Sequence, residues 1–150
     1  MRLAYIDTSF ILSILLETEK SDLAEQILEA YSDSHFMISG IAINEALYVA
    51  TYEYYRQKGI VKGGYSLRRL ISKQGYPREV IDAIDSFLKD LNTKIINDYF
   101  DYDEYLQIIQ NFKLLPNDAQ IALTCKHYGI NTILTFDEDF KRIPWLRVAP

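Results

Sequence analysis

The chain has 150 residues, of which 49% are hydrophobic and 25% are charged, and its formal net charge is −5. This composition excludes a disordered chain, and we expect one compact cytoplasmic domain over residues 1–150. The first residues hold too few apolar side chains for a signal peptide, and the apolar run 11–16 is too short to span a bilayer. The single cysteine, Cys125, excludes disulfides and cysteine-based zinc sites within one chain.

Short apolar strands alternate with helices along the chain. The predicted elements are a strand at 2–6, helices at 8–17 and 21–31, a strand at 36–38, helices at 41–58, 66–73 and 77–91, a strand at 94–96, helices at 102–113 and 116–128, and strands at 132–136 and 146–148. Ser21 is the predicted N-cap of the second helix. This alternation predicts an α/β sandwich with a mainly parallel sheet, whose functional groups gather beyond the carboxyl ends of the strands.

Four acidic residues are hard to explain by folding alone: Asp7, Glu45, Asp118 and Asp137. Asp7 and Asp137 each follow an apolar run that predicts a buried strand. Glu45 and Asp118 lie on predicted helices, where the residues three and four positions away are nearly all apolar. An ionised carboxylate in such surroundings is costly unless a positive charge compensates it. If the four converge, Mg²⁺ or Mn²⁺ bound by oxygen ligands is the simplest compensation, and this pattern indicates a metal-dependent nuclease.

Each of these carboxylates also has a purely structural interpretation. Asp7 and Asp137 are suited to capping the helices that follow them. Asp118 is a first-turn acid, which the helix dipole favours. Glu45 lies in mid-helix, where no cap is available, so its structural alternative is a surface residue beside a gap in the packing.

Basic residues are concentrated in one segment of the chain. Residues 54–78 contain seven basic residues and no acidic ones, which leaves 9 basic and all 21 acidic residues elsewhere. Such a segment can bind phosphates, and its candidate RNA-binding residues are Lys62, Arg68 and Arg69. Three interleaved aromatic residues are candidates for stacking on unpaired bases: Tyr55, Tyr65 and Tyr76. The alternative is a solvated helical hairpin.

Four motifs in the same order resemble the PIN domain family. They are Tyr-Ile-Asp-Thr-Ser at 5–9, Ile-Asn-Glu at 43–45, Asn-Asp-Ala at 117–119 and Thr-Phe-Asp-Glu-Asp-Phe at 135–140. The resemblance covers essentially the full chain and is strongest to the short VapC-like ribonucleases of toxin–antitoxin pairs. It implies a single PIN-like nuclease domain, a three-layer α/β/α sandwich with a short, mainly parallel central sheet.

The resemblance also implies a function and a set of site residues. It implies an endoribonuclease in which Asp7, Glu45, Asp118 and Asp137 are catalytic and hold Mg²⁺ or Mn²⁺. Thr8 and Thr135 match small polar residues that flank the site, and Asp139 is a further acid that supports or substitutes for Asp137. The implied partners are an RNA substrate, an antitoxin protein and a second copy of the chain, with no membrane. The central segment 59–76 is longer than in the shortest members of the family.

Three alternative functions compete with the toxin ribonuclease. Phosphohydrolases of the haloacid dehalogenase type also begin with a strand and an Asp, but they usually have a second Asp two positions on, where Ser9 stands. A housekeeping RNA-processing nuclease would need the same acids. A non-catalytic PIN-like interaction module would leave the acidic surface empty or occupied by an antitoxin arginine.

Overall fold

The computed structural model describes residues 2–150, with residues 64 and 65 described by their backbone only. The strands within these residues are β1 (Leu3–Ile6), β2 (His35–Ser39), β3 (Lys94–Ile96), β4 (Thr132–Leu134) and β5 (Arg147–Ala149). The α-helices are α1 (Thr8–Leu15), α2 (Ser21–Ala30), α3 (Gly40–Gln57), α4 (Gly64–Gln74), α5 (Arg78–Asp90), α6 (Tyr102–Phe112) and α7 (Pro116–Tyr128). A short 3-10 helix, Glu138–Arg142, follows β4. The predicted α/β fold and all the predicted strands and helices are confirmed.

Three local features differ from the sequence-based expectation. Helix α1 ends at Leu15 because Glu17 adopts a left-handed φ of 48°. Strand β4 ends at Leu134, two residues early, since side-chain hydroxyls bind the next backbone N–H groups. Ser21 is not the N-cap of α2; that position belongs to Lys20, and the Ser21 hydroxyl accepts the Thr18 N–H at 2.8 Å instead.

The five strands form one parallel sheet in the order β3-β2-β1-β4-β5. The chain fills one side of β1 with β2 and β3, and then crosses to the other side of β1 to form β4 and β5. In open sheets of this kind, the point where the order reverses leaves a crevice beyond the carboxyl ends of the two strands. Here that crevice lies beyond Ile6 and Leu134, which are paired in register.

Helices cover both faces of the sheet. Helix α1 contacts α2 and α3, and α3 contacts α5; on the other side, α6 contacts α7. The crossovers from β1 to β2 and from β2 to β3 run in one direction, and the crossover from β3 to β4 runs back. Right-handed crossovers therefore place the first group on one face and α6 and α7 on the other, which gives a three-layer sandwich.

Helix α3 packs on the core through small side chains. Ala42, Ala46 and Ala50 lie four residues apart and are 0–4% exposed. This spacing puts them on one face of the helix, and their small size lets α3 lie close to α1. Glu45 is adjacent to this apolar face and is only partly buried.

A second, smaller apolar cluster joins α4 to the end of α3. It contains the buried side chains of Tyr55, Val61 and Leu67. The prediction that Tyr55 stacks on bases is therefore wrong, because the ring is only 6% exposed and belongs to this cluster. Tyr76 is 42% exposed. The side chain of Tyr65 lies outside the described residues.

Across residues 2–150, no helix is both long enough and apolar enough to cross a membrane.

We expect that enlarging the buried alanine face of α3 will destabilise the protein. Ala46→Leu should lower the free energy of unfolding by about 1–3 kcal/mol, because a larger side chain cannot fit between α3 and α1 without displacing one of them. The matched control is Asn44→Leu on the exposed part of the same helix, which should change it by less than about 0.5 kcal/mol. Urea denaturation measures both, and equal midpoints would contradict this packing.

Candidate active site

Asp7 lies in a network of hydroxyl groups beyond β1. The Thr135 hydroxyl donates to Asp7 Oδ2 at 2.7 Å, and the Ser9 hydroxyl donates to the same oxygen at 3.2 Å. Ser9 Oγ also accepts the Phe136 N–H, and Thr135 Oγ1 accepts the Asp137 N–H, each at 3.0 Å. This network joins the end of β1 to the end of β4 and orients the Asp7 carboxylate.

The capping alternative holds for one of the two strand-end acids. Asp137 caps the 3-10 helix, since its Oδ1 accepts the Asp139 N–H at 2.9 Å. Asp7 stands at the N-cap position of α1, yet its side chain makes no capping hydrogen bond there. The Asp7 carboxylate, which is 4% exposed, is therefore buried without forming a capping hydrogen bond to its helix.

Glu45 and Asp118 are positioned by the contact between α3 and the start of α7. Asp118 lies in the first turn of α7 and is 9% exposed. The neighbouring Asn117 donates from Nδ2 to Glu45 Oε1 at 2.8 Å. This hydrogen bond holds the Glu45 side chain against α7, so Glu45 is not a free surface residue.

Three carboxylates lie close enough together to share a cation. One oxygen from each of Asp118, Asp137 and Asp139 lies within 4.8 Å of the other two. Asp139 also forms an ion pair of 2.7 Å with Arg142, whose guanidinium donates to the carbonyl of Lys113 at 2.9 Å. The Asp139 carboxylate thus lies beside Asp118 and Asp137 and is also paired with Arg142.

The electrostatics of the site show that the four predicted carboxylates act on one another. Burial raises the pKa of Asp7, and the nearby Glu45 raises it further, against hydrogen bonds that lower it. Burial also raises the pKa of Asp118 to about 7, with added contributions from Asp7, Asp137 and Glu45. In the absence of a cation, ionising these carboxylates therefore costs free energy in the folded protein.

The donor set fits a hard divalent cation. Asp7, Glu45, Asp118 and Asp137 form no ion pair with any basic side chain among the residues that the structure describes. Carboxylate oxygens are the ligands that Mg²⁺ and Mn²⁺ prefer, and buried carboxylates without a counter-charge are costly. A divalent cation at this position would remove that cost.

Two of the predicted flanking residues have different positions. Thr135 contacts Asp7 directly, as described above. Thr8 is buried, and its hydroxyl donates to the Ala42 carbonyl at 3.0 Å, so its side chain ties α1 to α3. Its backbone N–H, in contrast, lies near the Asp7 carboxyl and lowers the pKa of that group.

Ser9 and Asn117 belong to the site but were not predicted from the sequence. Ser9 contacts Asp7 and Thr135, and Asn117 contacts Glu45. Both residues lie inside the motifs that resemble the PIN domain, one or two positions from an acid. The sequence signal that could have identified each of them is a polar side chain one or two positions from a candidate acid.

Asp98 is a further acidic residue that was not predicted from the sequence. It follows β3, and its Oδ2 accepts the Ile41 N–H in the first turn of α3 at 3.1 Å. Its Oδ1 is buried and has no hydrogen-bond partner among residues 2–150. A Cβ at position 40 would lie 3.2 Å from Asp98 Oδ2, so Gly40 permits this close approach. Asp98 thereby anchors the helix that carries Glu45.

The predicted RNA-binding residues are separate from the acidic site. Arg68, Arg69 and Lys73 border an open cleft of about 420 Å³ on α4. Helix α4 packs against the C-terminal part of α3 around Tyr55, which is ten residues, or about 15 Å, along the helix from Glu45. Lys62 is exposed just before α4.

This fold agrees with the comparison with known families. The model of the PIN domain family matches residues 4–146, and the chain belongs to that family. Among curated proteins, it is 29% identical over 148 residues to Ribonuclease VapC6 of Methanocaldococcus jannaschii, with 96% of this chain and 94% of that protein covered. It is 40% identical over 95 residues to Ribonuclease VapC2 of the same organism, with 56% of this chain and 62% of that protein covered.

Solved structures show the same fold. The VapBC2 complex of Rickettsia felis, bound to a DNA fragment from its promoter, contains a chain with a TM-score of 0.65 and 19% identity. That alignment covers 98% of this chain and 97% of the other chain. Mycobacterium tuberculosis VapC20, a toxin that cleaves the sarcin-ricin loop, gives a TM-score of 0.61 at 16% identity, covering 98% and 99% of the two chains.

We expect Asp118→Asn to stabilise the metal-free protein increasingly as the pH rises. The pKa of Asp118 is raised to about 7 in the folded protein, so the folded state retains a proton that the unfolded state has lost. Wild type therefore loses stability relative to the variant from about pH 4 to about pH 7, and the gap should reach about 1–3 kcal/mol above that range.

Urea denaturation in EDTA across this pH range measures the gap. Asp82→Asn, at a side chain that is 62% exposed, is the matched control and should show a constant difference from wild type. A constant difference for Asp118→Asn as well would contradict the electrostatic coupling within the site.

Proposed function

We propose that this chain is a divalent-metal-dependent endoribonuclease, the toxin of a toxin–antitoxin pair, with one nuclease domain spanning residues 1–150. The observation that carries the proposal is the convergence of Asp7, Glu45, Asp118 and Asp137 without a basic partner among the described residues. The similarity to two proteins named as VapC ribonucleases supports RNA as the substrate. The family resemblance implies an antitoxin as the partner.

The residues have distinct roles in the proposed reaction. A bound Mg²⁺ or Mn²⁺ would neutralise charge on the scissile phosphate and lower the pKa of an attacking water. Asp7 and Asp118 are the two most buried of the four acids and are the proposed principal ligands. Asp137 completes the set through the oxygen that does not cap the 3-10 helix, and Asp139 lies behind it.

The remaining site residues hold these ligands in place. Ser9 and Thr135 fix one oxygen of Asp7, and Asn117 fixes one oxygen of Glu45. The Glu45 oxygen that does not accept from Asn117 is placed to take a proton from the attacking water. Water would then add to phosphorus as the 3′-oxygen leaves and takes a proton from solvent, which would yield a 5′-phosphate and a 3′-hydroxyl.

The competing functions fit these observations less well. A phosphohydrolase that uses a second strand-end Asp would need a carboxylate where the Ser9 hydroxyl donates to Asp7. A non-catalytic module has no need to hold four carboxylates together, two of which, Asp7 and Asp118, have raised pKa values. A housekeeping RNA-processing nuclease would use the same chemistry; the likeness of the fold to the toxin VapC20 favours the toxin. We also propose that the protein is cytoplasmic and forms a homodimer, as the family resemblance implies.

We expect metal-dependent RNA cleavage that requires the buried acids. Wild type should cleave a labelled structured RNA in Mg²⁺ or Mn²⁺ and not in EDTA. Asp7→Asn and Asp118→Asn should each lower kcat/KM by more than about 100-fold, since each removes a charged metal ligand and keeps the shape of the side chain. The control Asp82→Asn changes an exposed acid on α5 and should keep full activity. Wild-type cleavage that persists in EDTA, or that survives both Asn substitutions, would contradict the proposal.

We expect the basic surface of α4 to bind RNA phosphates at a distance from the cleavage site. Combining Lys62→Ala with Arg68→Ala should raise KM and leave kcat nearly unchanged, because α4 packs around Tyr55, which lies ten residues, or about 15 Å, along α3 from Glu45. The slope of log affinity against log salt should fall by about 0.7 for each phosphate that the variant no longer binds. Lys94→Ala, at the amino end of β3, removes an equivalent charge on the side of the sheet away from the acids. If the double variant and Lys94→Ala alter KM equally, the α4 surface has no specific role in RNA binding.

A further inference from the structure

A cleft of about 350 Å³ lies directly beside the acidic site. Ser9, Phe136 and Asp137 form its inner wall, and the turn between α1 and α2, with Lys20, forms its outer wall. Since Ser9 and Asp137 belong to both, a strand bound at the acidic site has this cleft directly beside it. We infer that Lys20 binds a phosphate of the RNA next to the scissile one, and this inference rests on the proposed nuclease function.

The ammonium group of Lys20 contacts an aromatic ring and pairs with no carboxylate among the described residues. Its ammonium nitrogen lies 5.0 Å from the centroid of the Phe136 ring. Among the residues that the structure describes, it forms no ion pair, although Glu19 and Asp137 also border the cleft. A contact with a ring face leaves the three N–H donors of the ammonium group available. Phosphate oxygens are the acceptors that an RNA strand would bring to them.

The Phe136 ring that Lys20 contacts is held in place by a second ring, Phe10. Phe136 stacks on Phe10 with the ring centroids 5.7 Å apart and an angle of 10° between the planes. Phe10 is fully buried, and the Phe136 N–H donates to Ser9 Oγ. The Phe10–Phe136 pair therefore places Lys20 over a support that is part of the acidic site itself.

Lys20 is also a poor choice for the helix that it begins. It occupies the N-cap position of α2 and makes no side-chain capping hydrogen bond. Ser, Thr, Asp or Asn is preferred at that position, and the positive end of the helix dipole disfavours a cation there. A residue that is unfavourable for the helix it begins often has a functional role. Binding a ligand in the adjacent cleft is such a role.

Binding to a flanking phosphate distinguishes Lys20 from a residue that merely offsets the acids. If Lys20 only offset the negative charge, its removal would tighten metal binding and leave RNA binding unaffected. If it binds a phosphate, its removal weakens RNA binding in proportion to one ionic contact. The two roles therefore predict different results for RNA.

The test compares Lys20→Ala, Lys20→Arg and the control Lys94→Ala with a single-stranded oligoribonucleotide that wild type cleaves. Lys20→Ala should raise KM about tenfold with kcat within about twofold, since one charged hydrogen bond is removed. Its salt slope should fall by about 0.7. Lys20→Arg should retain most of the affinity, and Lys94→Ala should behave as wild type.

A second readout does not depend on cleavage. Fluorescence anisotropy in Mg²⁺ would measure binding of the same oligonucleotide to Asp7→Asn, with and without Lys20→Ala. About tenfold weaker binding by the double variant supports the inference. Equal binding by the two would overturn it while leaving the nuclease intact. If wild type neither cleaves nor binds the oligonucleotide, the proposed function itself fails, and the inference with it.

Discussion

The parallel pairing of β1 with β4 is the constraint on which the site depends. Ile6 pairs with Leu134, and the ladder continues through the bond from the Asp7 N–H to the Leu134 carbonyl at 3.0 Å. This register brings Asp7 beside Thr135, although 128 positions separate them in the chain. A shift of one residue would turn every side chain of β4 to the opposite face of the sheet. The buried apolar residues on both faces of β1 and β4 make that shift costly, so the core sets the position of the acids.

The fold therefore holds negative charge where folding alone would not place it. Burial raises the pKa values of Asp7 and Asp118, which means that the folded protein disfavours their charged forms. Ser9 and Thr135 bind Asp7 with hydroxyl groups, and Asn117 binds Glu45 with its amide; these groups orient a carboxylate without neutralising it. The result is a group of ligands that is arranged before any cation arrives. Such preorganisation lowers the cost of assembling a metal site, and the core provides the stability that the charges remove.

Much of this arrangement could be predicted from the sequence, because strands and acids leave local signals. Apolar runs predict β1 and β4. Asp7 and Asp137 directly follow the predicted ends of these strands. The partners of the acids had no local signal. Ser9 and Thr135 are 126 positions apart, and their contact exists only once β1 and β4 pair. Asp98 was missed for the same reason, since its contact with Ile41 joins two elements that are 57 positions apart.

The sequence-based predictions were wrong where tertiary contacts outweighed the local sequence pattern. Tyr55 shares a segment with basic residues, but it is buried under α4, because its ring completes the cluster with Val61 and Leu67. The predicted end of β4 was late because the Ser9 and Thr135 hydroxyls bind the backbone of residues 136 and 137. These same bonds shape the site. The departure from a regular strand is thus part of how the acids are held.

The claim that these carboxylates form a divalent-cation site is tested most directly by anomalous diffraction from crystals soaked in Mn²⁺. Such a site predicts an anomalous peak bounded by the carboxylates of Asp7, Asp118 and Asp137, and the absence of that peak in crystals of Asp118→Asn. An ordered acidic site with no peak at saturating Mn²⁺, or with Mn²⁺ only on exposed acids elsewhere, would contradict the claim.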